Sequence, residues 1–478
     1  MSVIKGEILE AFINNGNFKV DVLGPLHFPI RNLKIERDES LDLILTTTSD
    51  SNSESKSIDH PPGTVRINND AIELTNISKS KVKMNGVQPF KYTVSTDSNG
   101  NSIRTELSSV SFVEADIRDV ETGTYLIEWL ENVDDKHFIW PDSIKTSTKS
   151  HTLVSIGKKP NKVEMKEEPS SEEFRSGGLF LEVGKNKLYL VSTGDDAKSV
   201  GVKSGYILYL GIPSSNERKK IRNCLSFVLG RPLIKTGYSI FNEEWLLVSF
   251  KSISAYSFGG AAFLLHSLPP YPLGENYQGE VNSNIITPLV NAIYDNYEEY
   301  KFGHLSWAYW HAVCAPVHIA AVHFGACIES LQKSYIEKNG KIFNSALIEK
   351  TKFKKLRKAT LEVLASLKLE ETEYKVMESK INSLNQTPQS VLTERFLGHL
   401  DIEFSDAEKS AWQQRNNAAH GNEIEEGSQI QLIKEIKILK VIFHRVLLRI
   451  INGGEYYTDY YSIGFPIKNI RDSVDKNV

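Results

Sequence analysis

The spacing of apolar and polar positions changes period along this chain. Near the amino terminus the period is two. In Phe18-Lys-Val-Asp-Val-Leu23 and Leu41-Asp-Leu-Ile-Leu45 apolar and polar side chains alternate, as in a strand with one buried face. Turn-forming residues separate such runs at Asn14-Asn15-Gly16 and Asn85-Gly86, and Asp97-Ser-Asn-Gly-Asn101 reads as a hairpin tip. These features predict an antiparallel β-rich domain over residues 1–150. Ser143 to Glu173 is hydrophilic and rich in Lys, Glu and Ser, the composition of a linker. Strand patterns resume at Gly178–Val183, Lys187–Val191 and Trp245–Phe250. Ser215 to Gly230 predicts one amphipathic helix, with Gly230 as its stop. Residues 174–275 therefore read as a mixed α/β module packed on the first domain.

Pro269-Pro-Tyr-Pro272 marks a boundary, because clustered prolines continue neither regular element. Beyond it the apolar residues recur at helical spacing. The predicted helices are Ile285–Asn296, Leu305–Lys338, Phe343–Leu367, Glu373–Leu384, Val391–Leu400, Asp406–His420 and Gln429–Ile451. Short loops join them, which predicts an all-α bundle over 282–478, with Tyr456–Tyr461 packed back on it. The fold class is α+β multidomain: a β-rich amino-terminal half followed by a helical bundle.

Composition narrows the function classes. Of 478 residues 40% are hydrophobic and 24% charged, ordinary values for a globular protein. With 56 basic and 60 acidic residues the net charge is −4, so any contact with nucleic acid must come from a local patch. Cys224, Cys314 and Cys327 are too few and scattered for a disulfide framework. No signal-peptide pattern opens the chain, and no apolar run approaches the roughly 20 residues of a membrane helix. The expectation is a cytoplasmic protein without a membrane partner.

The most informative string is Trp412-Gln-Gln-Arg415-Asn416-Asn417-Ala418-Ala419-His420-Gly421. Ser405 and Glu408 have the spacing of a capping box at the start of this helix, and Gly421 suits its end. At about 100° per residue, Arg415 and His420 lie about 140° apart around the axis, so only the reach of a long arginine lets both meet one phosphate. Asn416 precedes His420 by four and shares its face, placed to fix the imidazole tautomer. The trio suits cleavage of RNA by its own 2′-hydroxyl. Histidine titrates near neutrality and can move the proton, while arginine offers a fixed bidentate cation to the phosphorane. The bland alternative is a surface arginine with a histidine that favours the helix dipole.

This Arg-Asn-x3-His string in a helical bundle resembles the R-x(4–6)-H signature of HEPN-domain ribonucleases. A β-rich half before such a domain looks like the ApeA-type proteins of anti-phage defence. The resemblance that carries the motif covers about the last 190 residues. It implies catalysis by Arg415 and His420, orientation by Asn416, and 2′,3′-cyclic phosphate and 5′-hydroxyl products. It also implies no cofactor, a composite site in a homodimer or higher homo-oligomer, tRNA among the candidate substrates, and a phage-derived trigger. An acidic residue on an earlier helix accompanies the motif in the family, and Glu329 holds that place here; its alternative is a solvated helix charge.

Two further groups compete for a role. His304, His311, Cys314 and His318 would form one stripe on a continuous helix and could bind zinc, but Pro316 interrupts that helix and favours a packed face. The basic run Lys352, Lys354, Lys355, Arg357 and Lys358, preceded by Lys350, could track an RNA backbone or simply be a solvated face. No phosphate-binding loop, H-E-x-x-H or paired C-x-x-C is present. The alternatives to a metal-free ribonuclease are thus a non-catalytic HEPN protein that binds RNA or a partner, and a metal-dependent hydrolase using the His/Cys stripe.

Overall fold

A computed structural model of the chain describes residues 7–50, 71–96, 102–118, 122–133, 139–141, 143–147, 151–156, 161–166, 172–175, 177–193, 205–255, 268–274, 279–340, 346–419 and 427–475, with backbone alone at 146–147, 151–175 and 416–419. The chain divides into two compact units. The first comprises 1–269 and 273–294, the second 270–272 and 295–478.

The period-two segments form strands as the patterning requires. After α1 (Leu9–Asn14) come β1 (Phe18–Val22), β2 (Asn32–Arg37), β3 (Leu43–Asp50), β4 (Ile72–Asn76), β5 (Lys81–Asn85), β6 (Gln88–Thr96), β7 (Ser102–Val110), β8 (Phe112–Asp116) and β9 (Tyr125–Glu131). In β3 every second residue is buried. β6 and β7 pair antiparallel, and the tip expected at 97–101 lies outside the described residues. Where a linker is expected over Ser143–Glu173, the backbone instead forms β10 (Ile144–Ser147), β11 (His151–Ile156), β12 (Asn161–Lys166) and β13 (Glu172–Arg175), with β10 paired to β13 and β11 to β12. Polar side chains misled here, because a two-stranded ribbon needs only backbone pairing and turns, not an apolar stripe.

β14 (Gly178–Val183), β15 (Asn186–Ser192) and β16 (Gly205–Tyr209) precede α2 (Ser215–Leu229), β17 (Ile234–Phe241) and β18 (Leu247–Ile253). Gly230 ends α2 at φ +73°, a left-handed position where a Cβ would also sit 2.5 Å from the Leu268 carbonyl oxygen. One antiparallel sheet then draws on both expected modules, in the order β1-β4-β5-β8-β18-β17-β9-β16-β15-β14. The separation of 1–150 from 174–275 therefore does not hold: β8 pairs with β18, and β9 with β16 and β17. A four-stranded sheet β2-β3-β7-β6 supplies the second layer. Leu45, Val110, Leu74, Val82, Val113 and Phe250 from the two sheets share one buried cluster. Across the ten-stranded sheet runs a row of partners, Glu73, Lys83, Glu114, Lys251, Tyr238 and Glu128. The fully buried Glu128 is the last charged member before Ile207 of β16, and it pairs with Arg218 and Arg222 of α2.

The bundle expected from 282 begins later. Helix α3 (Ser283–Asp295) falls in the first unit up to Tyr294. Asn291 of α3 accepts from the Gly184 amide and donates to the Glu182 carbonyl, and the Tyr294 hydroxyl donates to Glu217. The second unit holds α4 (Phe302–Cys314), α5 (Val317–Lys338), α6 (Lys350–Ser366), α7 (Glu371–Ser383), α8 (Gln389–Leu400), α9 (Asp406–Ala419) and α10 (Gln429–Ile450). The expected helix over 305–338 is two helices, with Pro316 capping the second. α10 packs against α5, α8 and α9, and α5 also packs against α4 and α9. Tyr309 and Phe443 stack at 5.0 Å in this core. The short strands β19 (Tyr456–Thr458) and β20 (Ile467–Asn469) pair, and Tyr457 is buried where β19 meets α10. No helix of the described residues is long and apolar enough to cross a membrane.

Candidate functional site

α9 is built to hold its side chains in register. Ser405 Oγ accepts from the Glu408 amide at 3.3 Å and Glu408 Oε2 accepts from the Ser405 amide at 2.9 Å, a closed capping box. Its inward stripe is Glu408, Ala411, Trp412 and Arg415, at offsets of three, four and seven. Two of these four buried positions are charged, and each is paired. Glu408 meets Arg445 of α10, and both are fully buried. Arg445 also donates to the carbonyls of Ile470, Glu403 and Arg471.

Arg415 lies across α5. Its Nη1 donates to Glu329 Oε1, and its guanidinium carbon sits 3.6 Å from the ring centre of Trp412. The close crossing depends on Gly325, one turn before Glu329. A Cβ there would lie 2.8 Å from Arg415 Cδ and 3.3 Å from Nη1. The arginine side chain is 9% exposed and that of Glu329 43%, so the pair has one sheltered end and one wet end. Arg415 Nε is buried and finds no hydrogen-bond partner among the described residues. The arrangement presents a cation, clamped in direction by a carboxylate and an indole face, with donor capacity left for an anion.

The structure thus brings together Arg415 and Glu329, two residues singled out in the sequence. Asn416 is on α9, with its side chain outside the described residues, and His420 and Gly421 lie outside them altogether. Sequence reasoning noted Trp412 only as a flank and did not single out Gly325. The signals were present: Trp412 precedes Arg415 by three on one helix, and Gly325 precedes Glu329 by four on another.

The other candidates are not drawn into this arrangement. His304 and His311 flank the exposed Trp307, whose ring is 4.1 Å from that of His311, and His311 Nδ1 donates to the Trp307 carbonyl. His318 is on α5, beyond the break at Pro316, and Cys327 is buried there, its thiol pushed up to about 12 by burial. No group of three or more His, Cys, Asp or Glu among the described residues is placed to hold a metal ion. The helix carrying His304, His311, Cys314 and His318 is broken at Pro316, as the proline suggests, so two helices and not one carry those positions. Lys352, Lys354, Lys355, Arg357 and Lys358 are exposed along α6, with Lys352 4.0 Å from Glu349 and Lys358 3.9 Å from Glu362.

Comparison with protein-family models finds no matching family, and comparisons with curated proteins and with solved structures likewise find no match.

Proposed function

We propose that this chain is a metal-independent endoribonuclease of the HEPN type, acting conditionally in anti-phage defence. The observation that carries the reading is the clamp on Arg415, made by Glu329 and Trp412, five residues before His420 on the same stretch of chain. In the proposed reaction the 2′-oxygen of RNA attacks the adjacent phosphorus and the 5′-oxygen leaves. His420 moves the proton and Arg415 stabilises the charge gathered on the phosphorane. Glu329 fixes the direction of the guanidinium, and Asn416 orients the imidazole. The nucleophile is internal to the substrate, so the chemistry calls for no bound cofactor. The products carry 2′,3′-cyclic phosphate and 5′-hydroxyl ends, tRNA is a candidate substrate, and two chains complete one cleft. The β-rich unit is assigned restraint and sensing of the trigger.

One feature favours a second reading. Arg415 is more than nine-tenths buried and already neutralised by a carboxylate, which is also how an arginine staples two helices or grips phosphate without chemistry. Cleavage of total RNA and purified tRNA in EDTA, with and without extract of phage-infected cells, separates the two. The nuclease reading expects cutting with cyclic phosphate ends, lost by about 100-fold or more in His420→Ala and similarly in Arg415→Ala. Cutting that survives both substitutions removes Arg415 and His420 from the chemistry, and no cutting by the unaltered chain in either condition leaves the staple or grip.

A further inference from the structure

β17 carries one extra residue where it pairs with β9. Lys235 lies opposite Leu130 and Gly237 opposite Trp129, so Thr236 has no partner in the register. Such a bulge turns Lys235 and Tyr238, three apart in sequence, to one face of the ten-stranded sheet. There the Lys235 ammonium is 5.1 Å from the centre of the Tyr238 ring, and the Arg218 guanidinium carbon is 4.6 Å from it. Lys235 makes no hydrogen bond or ion pair among the described residues.

The charges that bear on this lysine are unbalanced. Arg222, Arg218 and Lys251 stand against one carboxylate, Glu128. Glu128 is fully buried and already held by both arginines, with Arg218 at 3.3 Å. Lys251 is paired with Glu114 at 3.1 Å. A further ammonium withdrawn from water in these surroundings is costly, and loss of its proton removes the cost. Burial is the largest cause; with the two guanidiniums it outweighs Glu128 and lowers the pKa of Lys235 to about 8. At pH 7.5 about a quarter of such an amine is neutral, against roughly one in a thousand for an ordinary lysine.

Tyr238 leads from this amine to open space. With Asp21, Glu73, Thr75, Glu114 and Asp116 it lines a cavity of about 550 Å³ on the same sheet face. Lys81 and Lys83 line it too, opposite Asp116 and Glu114 in the β5–β8 pairing. Such a lining offers acceptors and donors to the hydroxyl groups of a small polar ligand. Burial raises the pKa of Tyr238, so its hydroxyl keeps its proton at neutral pH.

We propose that Lys235 is a nucleophile that forms an imine with a small hydroxylated aldehyde or ketone held in this cavity. The amine nitrogen attacks the carbonyl carbon. Its two protons leave with the carbonyl oxygen as one molecule of water, relayed by the Tyr238 hydroxyl, and a carbon–nitrogen double bond remains. No oxidant or reductant enters. The site belongs to the β unit and is independent of the nuclease reading.

Trapping on the full chain tests it. Cyanoborohydride reduces an imine formed with dilute glyceraldehyde to a stable secondary amine, and peptide mass mapping gives the rate at each lysine. At pH 7.5 Lys235 is expected to be labelled about tenfold or more faster than the exposed Lys19 and Lys358, in keeping with its larger neutral fraction. Its rate should rise through about pH 8, and theirs only towards about pH 10. Lys235→Arg keeps the charge and should remove that fast label alone. The preference for glyceraldehyde over butanal should be greater at Lys235 than at Lys19, since only Lys235 lies beside the polar cavity. Labelling of Lys235 no faster than of Lys19 and Lys358 overturns the proposal. So does a rate at Lys235 that rises only towards about pH 10, or the same aldehyde preference at Lys235 and Lys19.

Discussion

Replacement of Gly325 by alanine sets two calculable effects against each other. Glycine within a helix costs about 1 kcal/mol relative to alanine, so the substitution alone stabilises α5 by that amount. The new methyl carbon, however, would lie 2.8 Å from Arg415 Cδ and 3.3 Å from Nη1. Both are atoms of a flexible side chain, so the helix survives and the arginine moves. Moving it forfeits the hydrogen bond to Glu329, worth about 1.5 kcal/mol at the low end for a charged pair whose carboxylate is partly solvated. It also forfeits the contact with Trp412, about 0.5–2 kcal/mol. The losses exceed the gain by about 1–2.5 kcal/mol. Denaturant unfolding followed through the helical signal should show a lower midpoint with an unchanged slope. A second reading of the same variant is RNA cleavage, expected to fall with the displaced guanidinium even though position 325 contacts no substrate. An unfolding free energy raised by about 1 kcal/mol with undiminished cleavage would show that Arg415 adapts freely, and the clamp would be refuted.

Two further substitutions probe the frame that carries the site. Glu408→Ala opens the capping box and leaves Arg445 buried without its carboxylate; the expected loss is about 3–5 kcal/mol for the broken pair plus about 1 kcal/mol for the cap, and a loss under about 1 kcal/mol in denaturant unfolding contradicts it. His444, bonded through Nε2 to the Tyr309 hydroxyl at 2.8 Å, is held well below its ordinary pKa by burial, aided by nearby Lys440. A depressed folded pKa means stability that is complete above the unfolded value and lost as pH falls below about 6.5, at up to about 1.4 kcal/mol per pH unit. His444→Gln should flatten that acid limb, and an unaltered slope in the variant would show that other groups set it.

The two-part architecture was legible because the apolar period changes from two to 3.6 near the proline cluster. The helix Ser215–Leu229 follows its pattern closely, while the alternating run Leu41–Leu45 meets the strand Leu43–Asp50 only in its last three residues. The ribbons β10–β13 were not legible, since backbone pairing without a buried face leaves no periodic trace. Nor was the single sheet, because β8 meets β18, and β9 meets β17, across more than a hundred residues of intervening sequence, and register at that range is written in no local pattern. Helix α3 has the helical period of the bundle, yet its Asn291 and Tyr294 bond to the β unit. Periodicity names an element, not its neighbour. At the site, the Arg415-Asn416-x3-His420 string singled out Arg415 and the family resemblance pointed to Glu329, but only packing could show that Gly325 admits the arginine.

The inward stripe of α9 contains two ion pairs of the same chemistry and opposite circumstance. Glu408 and Arg445 are both fully buried, and Arg445 donates to three further carbonyls. No solute can reach that pair without opening the bundle, so its work is confined to holding α9 against α10. Arg415, seven residues or two helical turns along, meets Glu329 of α5, whose side chain is 43% exposed, and its Nε has no hydrogen-bond partner among the described residues. An unmade hydrogen bond on a buried guanidinium costs about 1–3 kcal/mol. The first pair makes the second rigid: with one end of the helix anchored, the arginine at the other is held where it is rather than free to follow solvent. Under the proposed function, a helix fixed in its first turn by a sealed pair would hold the clamped Arg415 two turns later in one place and direction.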